Sequence, residues 1–297
     1  MLRKEWPLII NTILAQLAAG IFIFISADII IILQNAPELA AANLKLNGTG
    51  LVWAGPIIIL AMFLSLFHLG KPFRAYRAMA NLPVSWLSWE IFLSGAFLVL
   101  WAVTYFIDKP YPYLLGVTSL TALLNVVSMS NIYSSTGRPG WKGAVTYLDF
   151  LGSMVIFGSV ASAFITNGAD DFKTLVNAPI ITCMFILAVE LIAVLAFVFK
   201  QKAAADEFSL DKLACSSDLN EILLNKYLKI SVSGWFLTFM GVQVVYLNIH
   251  GYINLSWLLP VMLVLAGEVI RRYGFFMLVG ESENSAQFIS AVSPAEF

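Results

Sequence analysis

HLGKPFRAYRAMANLPVSWLSWE, residues 68–90, decides how the chain is laid out. It is a basic hinge, broken by Pro72 and Pro83, between two long apolar runs. Proline removes a backbone donor and disfavours helix in the residue before it, so neither run continues through the hinge. The hinge holds His68, one of two histidines, with Lys71, Arg74 and Arg77, and it ends at Glu90, about one turn into the next run. Two apolar runs that meet at such a hinge read as two helices entering and leaving one face of a bilayer.

The rest of the sequence extends that pattern. The chain has 297 residues, 60% hydrophobic and 12% charged, with a mean hydropathy of +0.84. A soluble domain is about 45–50% apolar and about 25% charged, so this is the composition of an integral membrane protein. A spanning helix needs about 20 apolar residues. Eight stretches qualify: residues 8–33, 51–68, 86–107, 111–133, 144–166, 177–199, 228–248 and 255–278. Turn chemistry separates them at Asn47-Gly48, Asp108-Lys109-Pro110, Gly137 to Gly140 and Asn167 to Asp170. The runs are too long for barrel strands and do not alternate at period two. The expected fold is therefore all-α, with eight transmembrane helices arranged as two four-helix bundles. Residues 1–279 form the membrane domain with a polar loop at 200–227, and residues 280–297 form a polar, mobile tail. The N-terminal run has no small-residue cleavage site and reads as the first span rather than a signal peptide. Cys183 reads as a core apolar residue and Cys215 as a loop thiol, without metal-site spacing.

Charge then orients the protein. With eight crossings, Lys45, Lys109 and Lys173 fall on one side, and the other 14 of the 17 lysines and arginines fall on the side of the N-terminus. The positive-inside rule places that basic side, and both termini, in the cytoplasm.

Ionisable groups inside a membrane cost about 2.5–3.5 kcal/mol at mid-helix on insertion scales, so each needs a reason. His68, Arg74, Glu90, Tyr133, Asp149, Glu268 and Arg271 all project to one depth near the basic side. Glu268 lies thirteen residues after Leu255, about 20 Å along a helix, with Arg271 and Arg272 at i+3 and i+4. Singly, each has a plain reading: an interfacial histidine, a carboxylate paired with a loop arginine, topology-setting cations, an ion pair along one helix. Together they outline a polar pocket suited to an amphiphile with an apolar tail and a proton-exchanging head, of which a quinone is the obvious case. Glu190, Asp28, Asn125 and Gln243 lie elsewhere and read as satisfied by hydrogen bonds between helices, or as parts of a proton path. His68 and His250 fall on opposite sides, about 30 Å of hydrocarbon apart, which excludes a bis-histidine haem within the chain. There is no cysteine cluster for iron–sulfur centres and no nucleotide fingerprint, and no nucleic-acid partner is expected.

EWPL at residues 5–8, HLGKPFRA at 68–75, SWEI at 88–91 and AGEVIRRYGFF at 266–276 resemble the DmsC-type membrane-anchor subunit of anaerobic dimethyl sulfoxide reductase. The resemblance covers nearly the whole sequence and is most specific from His68 to Glu90. It implies a haem-free anchor that oxidises menaquinol. Electrons would pass to a four-cluster iron–sulfur subunit and on to a molybdopterin catalytic subunit. The family's quinol-site histidine, arginine and glutamate match His68, Arg74 and Glu90, while Lys71 stands where a small polar residue occurs in the family. On this reading quinol sits between the second, third and eighth helices. His68 or Glu90 acts as proton acceptor, Arg74 holds Glu90 ionised or orients a quinone oxygen, and Tyr133, Glu268 and Arg271 complete the pocket. Two other classes remain open from sequence: a proton- or ion-coupled transporter, and a structural anchor without a quinol site.

Overall fold

The structure, a computed structural model, describes residues 6–35, 40–68, 81–107, 111–136, 141, 143–166, 173–208 and 214–292. Among these no strand occurs. The helices are α1 (Trp6–Asn35), α2 (Ala40–Ser65), α3 (Trp86–Phe106), α4 (Pro112–Ser134), α5 (Ala144–Thr166), α6 (Lys173–Phe208), α7 (Ala214–Ile249) and α8 (Leu258–Val292). A short 3-10 turn, Leu66–His68, closes α2.

Among the described residues six helical stretches are long and apolar enough to cross a bilayer: Trp6–Gln34, Trp86–Phe106, Pro112–Ser134, Ala144–Ile165, Asn177–Ala203 and Ile222–Ile249. The apolar part of α2, Gly50–Ser65, is shorter. The apolar part of α8 is interrupted by Glu268, Arg271 and Arg272. These two helices carry the departures from eight uniform spans.

Three boundaries differ from the sequence reading. Asn47-Gly48 is not a turn, since α2 runs through it from Ala40; the dipeptide favours a turn only where there is no helix to continue. The segment 200–227 is less a loop than the ends of two long helices, α6 to Phe208 and α7 from Ala214. The polar tail continues α8 as far as Val292. In both places the sequence becomes polar without a proline, so hydropathy falls while the helix persists.

Packing follows sequence order. α1 lies along α2 and α5 and also meets α4 and α8; α3 packs on α2 and α4; α5 on α6; α6 on α7; and α7 along α8. The closest crossings are made where there is no side chain. A Cβ on Gly20 would collide with the Met154 carbonyl of α5, and one on Gly267 would collide with Thr238 of α7. Small residues at crossings are how helices approach without a hydrophobic drive between them.

The distribution of side chains is that of a multi-pass membrane protein. Val99, Ile181, Phe185, Ile192 and Phe199 stand exposed on outer faces, while Gln16, Asn125, Ser159, Ser162 and Thr238 are buried. Polar groups are turned inward and paired across helices: Ser94 Oγ with Asn125 Oδ1 at 3.1 Å, Thr104 with Thr118 at 3.1 Å, and Ser162 Oγ to Asp28 Oδ2 at 2.7 Å. Two indoles donate to carbonyls of a neighbouring helix, Trp101 to Leu51 and Trp235 to Leu187, both at 2.7 Å. Such bonds average about 0.6 kcal/mol within membranes, so their number matters more than any one of them.

The α7–α8 connection is closed locally. Gly251 adopts φ +72°, and the Tyr252 amide returns to Leu247 O at 3.0 Å, a left-handed helix stop that glycine adopts readily. Asn248 then clasps the loop through both the N–H and the C=O of Leu255, each at 3.0 Å.

Candidate functional site

The densest polar constellation lies where α5, α6, α7 and α8 meet α1. Arg271 contacts three carboxylates: Glu268 Oε1 at 2.8 Å, Glu190 Oε2 at 2.8 Å and Asp149 Oδ1 at 3.0 Å. Arg272, one residue on and so about 100° around the helix, faces other neighbours. It contacts Asp149 Oδ2 at 2.8 Å and donates to Gln16 Oε1 of α1 at 2.8 Å. Its guanidinium lies 3.9 Å from the centroid of Phe150. Ser153 donates to Glu268 Oε2 at 2.6 Å, and Thr238 to Glu268 Oε1 at 3.2 Å. All these charged groups except Asp149 are buried, Arg272 to 1% exposure. Removing charges from water is repaid only when partners surround them, and here five helices supply those partners.

Toward the connection between α4 and α5 the cluster is capped by aromatic rings. Tyr133 packs against Trp141, Phe150, Phe275 and Phe276 at centroid distances of 5.1–5.7 Å. Trp141 Nε1 donates to the Phe275 carbonyl at 2.9 Å. Tyr133 therefore belongs to a packed layer beside the cluster.

Glu90 is held differently. It lies in the second turn of α3, half-buried, and one carboxylate oxygen accepts from Asn11 Nδ2 of α1 at 3.3 Å. Around it on the same stretch, Trp86, Leu87 and Trp89 are exposed, as aromatic residues at a membrane interface are. Asn11 and Gln16 are five residues apart on α1, so they point about 140° from one another. Glu90 and the Arg272 side of the cluster thus lie on two flanks of α1.

Of the residues read from sequence as one pocket, the structure brings Asp149, Glu268 and Arg271 together, with Tyr133 alongside. It places Glu90 against α1, and the partners of Glu268 and Arg271 come from α5, α6 and α7 rather than α2 or α3. His68 ends the turn after α2, and its side chain lies outside the described residues, as do Lys71, Arg74 and Arg77.

The sequence reading set Glu190 apart from the cluster, did not single out Gln16, Ser153 or Thr238, and gave Arg272 a different partner. Glu190, read as lying elsewhere, is an ion-pair partner of Arg271; Arg272 bonds to Gln16 and Asp149 rather than Glu268. The signal for Glu190 was depth: it lies thirteen residues after Asn177, as Glu268 does after Leu255. Gln16 gives no such signal, because an amide in an apolar run does not reveal which helix it faces. Asp28 and the side-chain carbonyl of Asn125 are bonded between helices, as read. His250 ends α7 with Nδ1 at 2.9 Å from Tyr246 O. An apolar cavity of about 430 Å³, lined by Leu17, Phe157, Phe164, Trp257 and Val261 among others, opens between α1, α5 and α8 and includes no member of the cluster.

Comparison with known proteins gives a consistent picture. The family model for the DMSO reductase anchor subunit (DmsC) matches residues 2–278. The C subunit of the anaerobic dimethyl sulfoxide reductase of Haemophilus influenzae is 27% identical over 203 residues, covering 65% of this chain and 68% of that protein. The anaerobic dimethyl sulfoxide reductase subunit YnfH of Escherichia coli K12 is 27% identical over 173 residues, covering 56% of this chain and 58% of that protein.

Proposed function

The chain belongs to the DMSO reductase anchor subunit family, and from that premise we propose that it is a haem-free anchor that oxidises menaquinol at the membrane surface. Its electrons pass to a four-cluster iron–sulfur subunit and then to a molybdopterin catalytic subunit. The observation that carries the reading is Glu90. A carboxylate one turn inside an apolar helix is costly, and among the described residues one long hydrogen bond, from Asn11, holds one of its oxygens, among exposed aromatic side chains on α3. That arrangement suits a proton acceptor reached from the bilayer by an amphiphile.

On this reading quinol approaches at the cytoplasmic end of α3. Glu90 or His68 takes a proton from a quinol hydroxyl as general base. Imidazole, with an unperturbed pKa near 6.5, serves that role without large tuning. Arg74 holds Glu90 ionised or orients a quinone oxygen. The eight helices cross the membrane eight times, α1–α4 as one four-helix bundle and α5–α8 as a second joined to it through α1 and α5. The interruption of α8 by charge is tolerated because those charges are paired inside the protein.

With eight crossings the basic side, both termini and the partner subunits lie in the cytoplasm of a prokaryotic cell, bound to its inner membrane. Protons released to that same side leave quinol oxidation electroneutral. Two experiments test the proposal. The purified protein should bring with it an iron–sulfur protein and should show no reduced-minus-oxidised b-type absorbance; a protein that purifies alone and transports an ion contradicts it. Alkaline phosphatase fused after Phe297 should be silent and, fused within residues 167–176, active; the reverse pattern inverts the orientation.

A further inference from the structure

The cluster around Arg271 has a charge imbalance. Asp149, Glu190 and Glu268 meet Arg271 and Arg272, and arginine does not deprotonate in proteins. Full ionisation therefore leaves a surplus negative charge among apolar helices, where an unpaired charge is costly and neutralises instead. Among the described residues no other element supplies the missing cation. From α1 the contact is the Gln16 amide. From α6 and α7 the nearby titratable groups are the Cys183 thiol and the Tyr227 phenol, both ordinarily uncharged near neutral pH. The charges acting on Glu190 come from Arg271, Glu268 and Asp149.

The hydrogen bonds say where the surplus falls. Asp149 Oδ1 accepts from Arg271 at 3.0 Å, and Oδ2, without a well-formed hydrogen bond, forms an ion pair with Arg272 at 2.8 Å, so each oxygen has a guanidinium nitrogen to itself. Both oxygens of Glu268 accept, from Arg271, Thr238 and Ser153. Glu190 is served by one nitrogen only, Arg271 Nη1 at 2.8 Å from Oε2, and that nitrogen is shared with Glu268. Both of its oxygens are buried without a well-formed hydrogen bond among the described residues, and Oε1 is pressed against Gly152, where a Cβ would collide with it. Glu190 as a whole is 2% exposed. Two carboxylates on one guanidinium nitrogen do not both ionise readily; one of the pair retains a proton.

We propose that Glu190 is a proton-binding site, protonated at neutral pH, which balances the charge of the cluster and gives the protein a second proton-exchanging carboxyl beyond Glu90. The step is a simple exchange: a proton leaves Glu190 for water or returns from it, and no electrons move. The inference rests on the ion cluster alone and stands or falls apart from the quinol reading.

Infrared spectroscopy of the full-length protein in its native membrane complex tests it. At neutral pH the protein should show a carboxylic-acid C=O stretching band that shifts down in D2O. Glu190→Gln should remove that band and accumulate at wild-type level, because the amide is close in shape to the neutral acid. Glu190→Asp should move the band. Asp28 and Glu90 contribute equally to the variant and wild-type spectra, so they cancel in the difference. Identical acid bands in wild type and Glu190→Gln overturn the proposal: Glu190 is then ionised, with water at Oε1. So does a Glu190→Gln protein that fails to accumulate.

Discussion

On one flank of α1, Gln16 reaches Arg272 and, through it, a network of two arginines and three carboxylates drawn from α5, α6 and α8. On the other flank, Asn11 reaches a single oxygen of Glu90 at 3.3 Å. The first region is buried, multiply connected and capped by rings. The second is half-buried, held among the described residues by one hydrogen bond, and flanked by exposed Trp86 and Trp89. Groups surrounded by partners hold helices together, whereas a carboxylate with spare bonding capacity at the edge of the bilayer is free to exchange a proton. On the function proposed above, the α5–α8 cluster holds the helices together and the α3 end carries the quinol chemistry.

The largest expected effect comes from breaking the cluster. Arg272→Leu strips Asp149 and Gln16 of a buried partner, and losing one partner of a buried pair costs about 3–5 kcal/mol. The variant should accumulate poorly in membranes and its residual protein should unfold at a much lower temperature. Normal accumulation would mean the cluster does not hold the fold.

A smaller effect is expected where α1 meets α5. Gly20→Leu drives a side chain into the Met154 carbonyl, and overpacking of this kind costs about 1–3 kcal/mol. Thermal unfolding in detergent should register it. Because Gly20 touches neither carboxylate site directly, quinol oxidation per assembled complex should change little.

The smallest effect separates the two flanks most finely. Asn11→Ala removes one interhelical hydrogen bond, worth about 0.6 kcal/mol. Stability should be nearly unchanged while quinol oxidation falls about threefold, by the rate that one such bond's free energy corresponds to, measured as quinol-analogue oxidation by the purified complex. A stability loss as large as that of Arg272→Leu would place Asn11 with the assembly residues.

Helix positions were legible from hydropathy, because apolar runs long enough to span leave no other fold. What hydropathy cannot read is a helix that outlasts its apolar part, hence the extensions of α6, α7 and α8. Depth was legible too: it put Asp149, Glu268 and Arg271 at one level, and the structure joins them. Azimuth was not. Glu90 and Glu268 share a depth but face different neighbours, and only packing reveals that α1 presents Asn11 to one and Gln16 to the cluster around the other. Glu190 was set aside although the same residue count from the start of its run as for Glu268 places it at the same level. The hinge cations Lys71, Arg74 and Arg77 lie outside the described residues, so their share in the site rests on the sequence pattern.

The most direct test of the division of labour is Glu90→Gln in the purified complex, scored for both assembly and menaquinol-analogue oxidation. The substitution keeps the shape and the contact with Asn11 but removes the proton acceptor, and general-base catalysis supplies about 10²–10⁴-fold. The account predicts wild-type accumulation, intact association with the iron–sulfur subunit and at least about a 100-fold loss of quinol oxidation. Oxidation at the wild-type rate would contradict it, leaving Glu90 a structural carboxylate and the quinol site elsewhere.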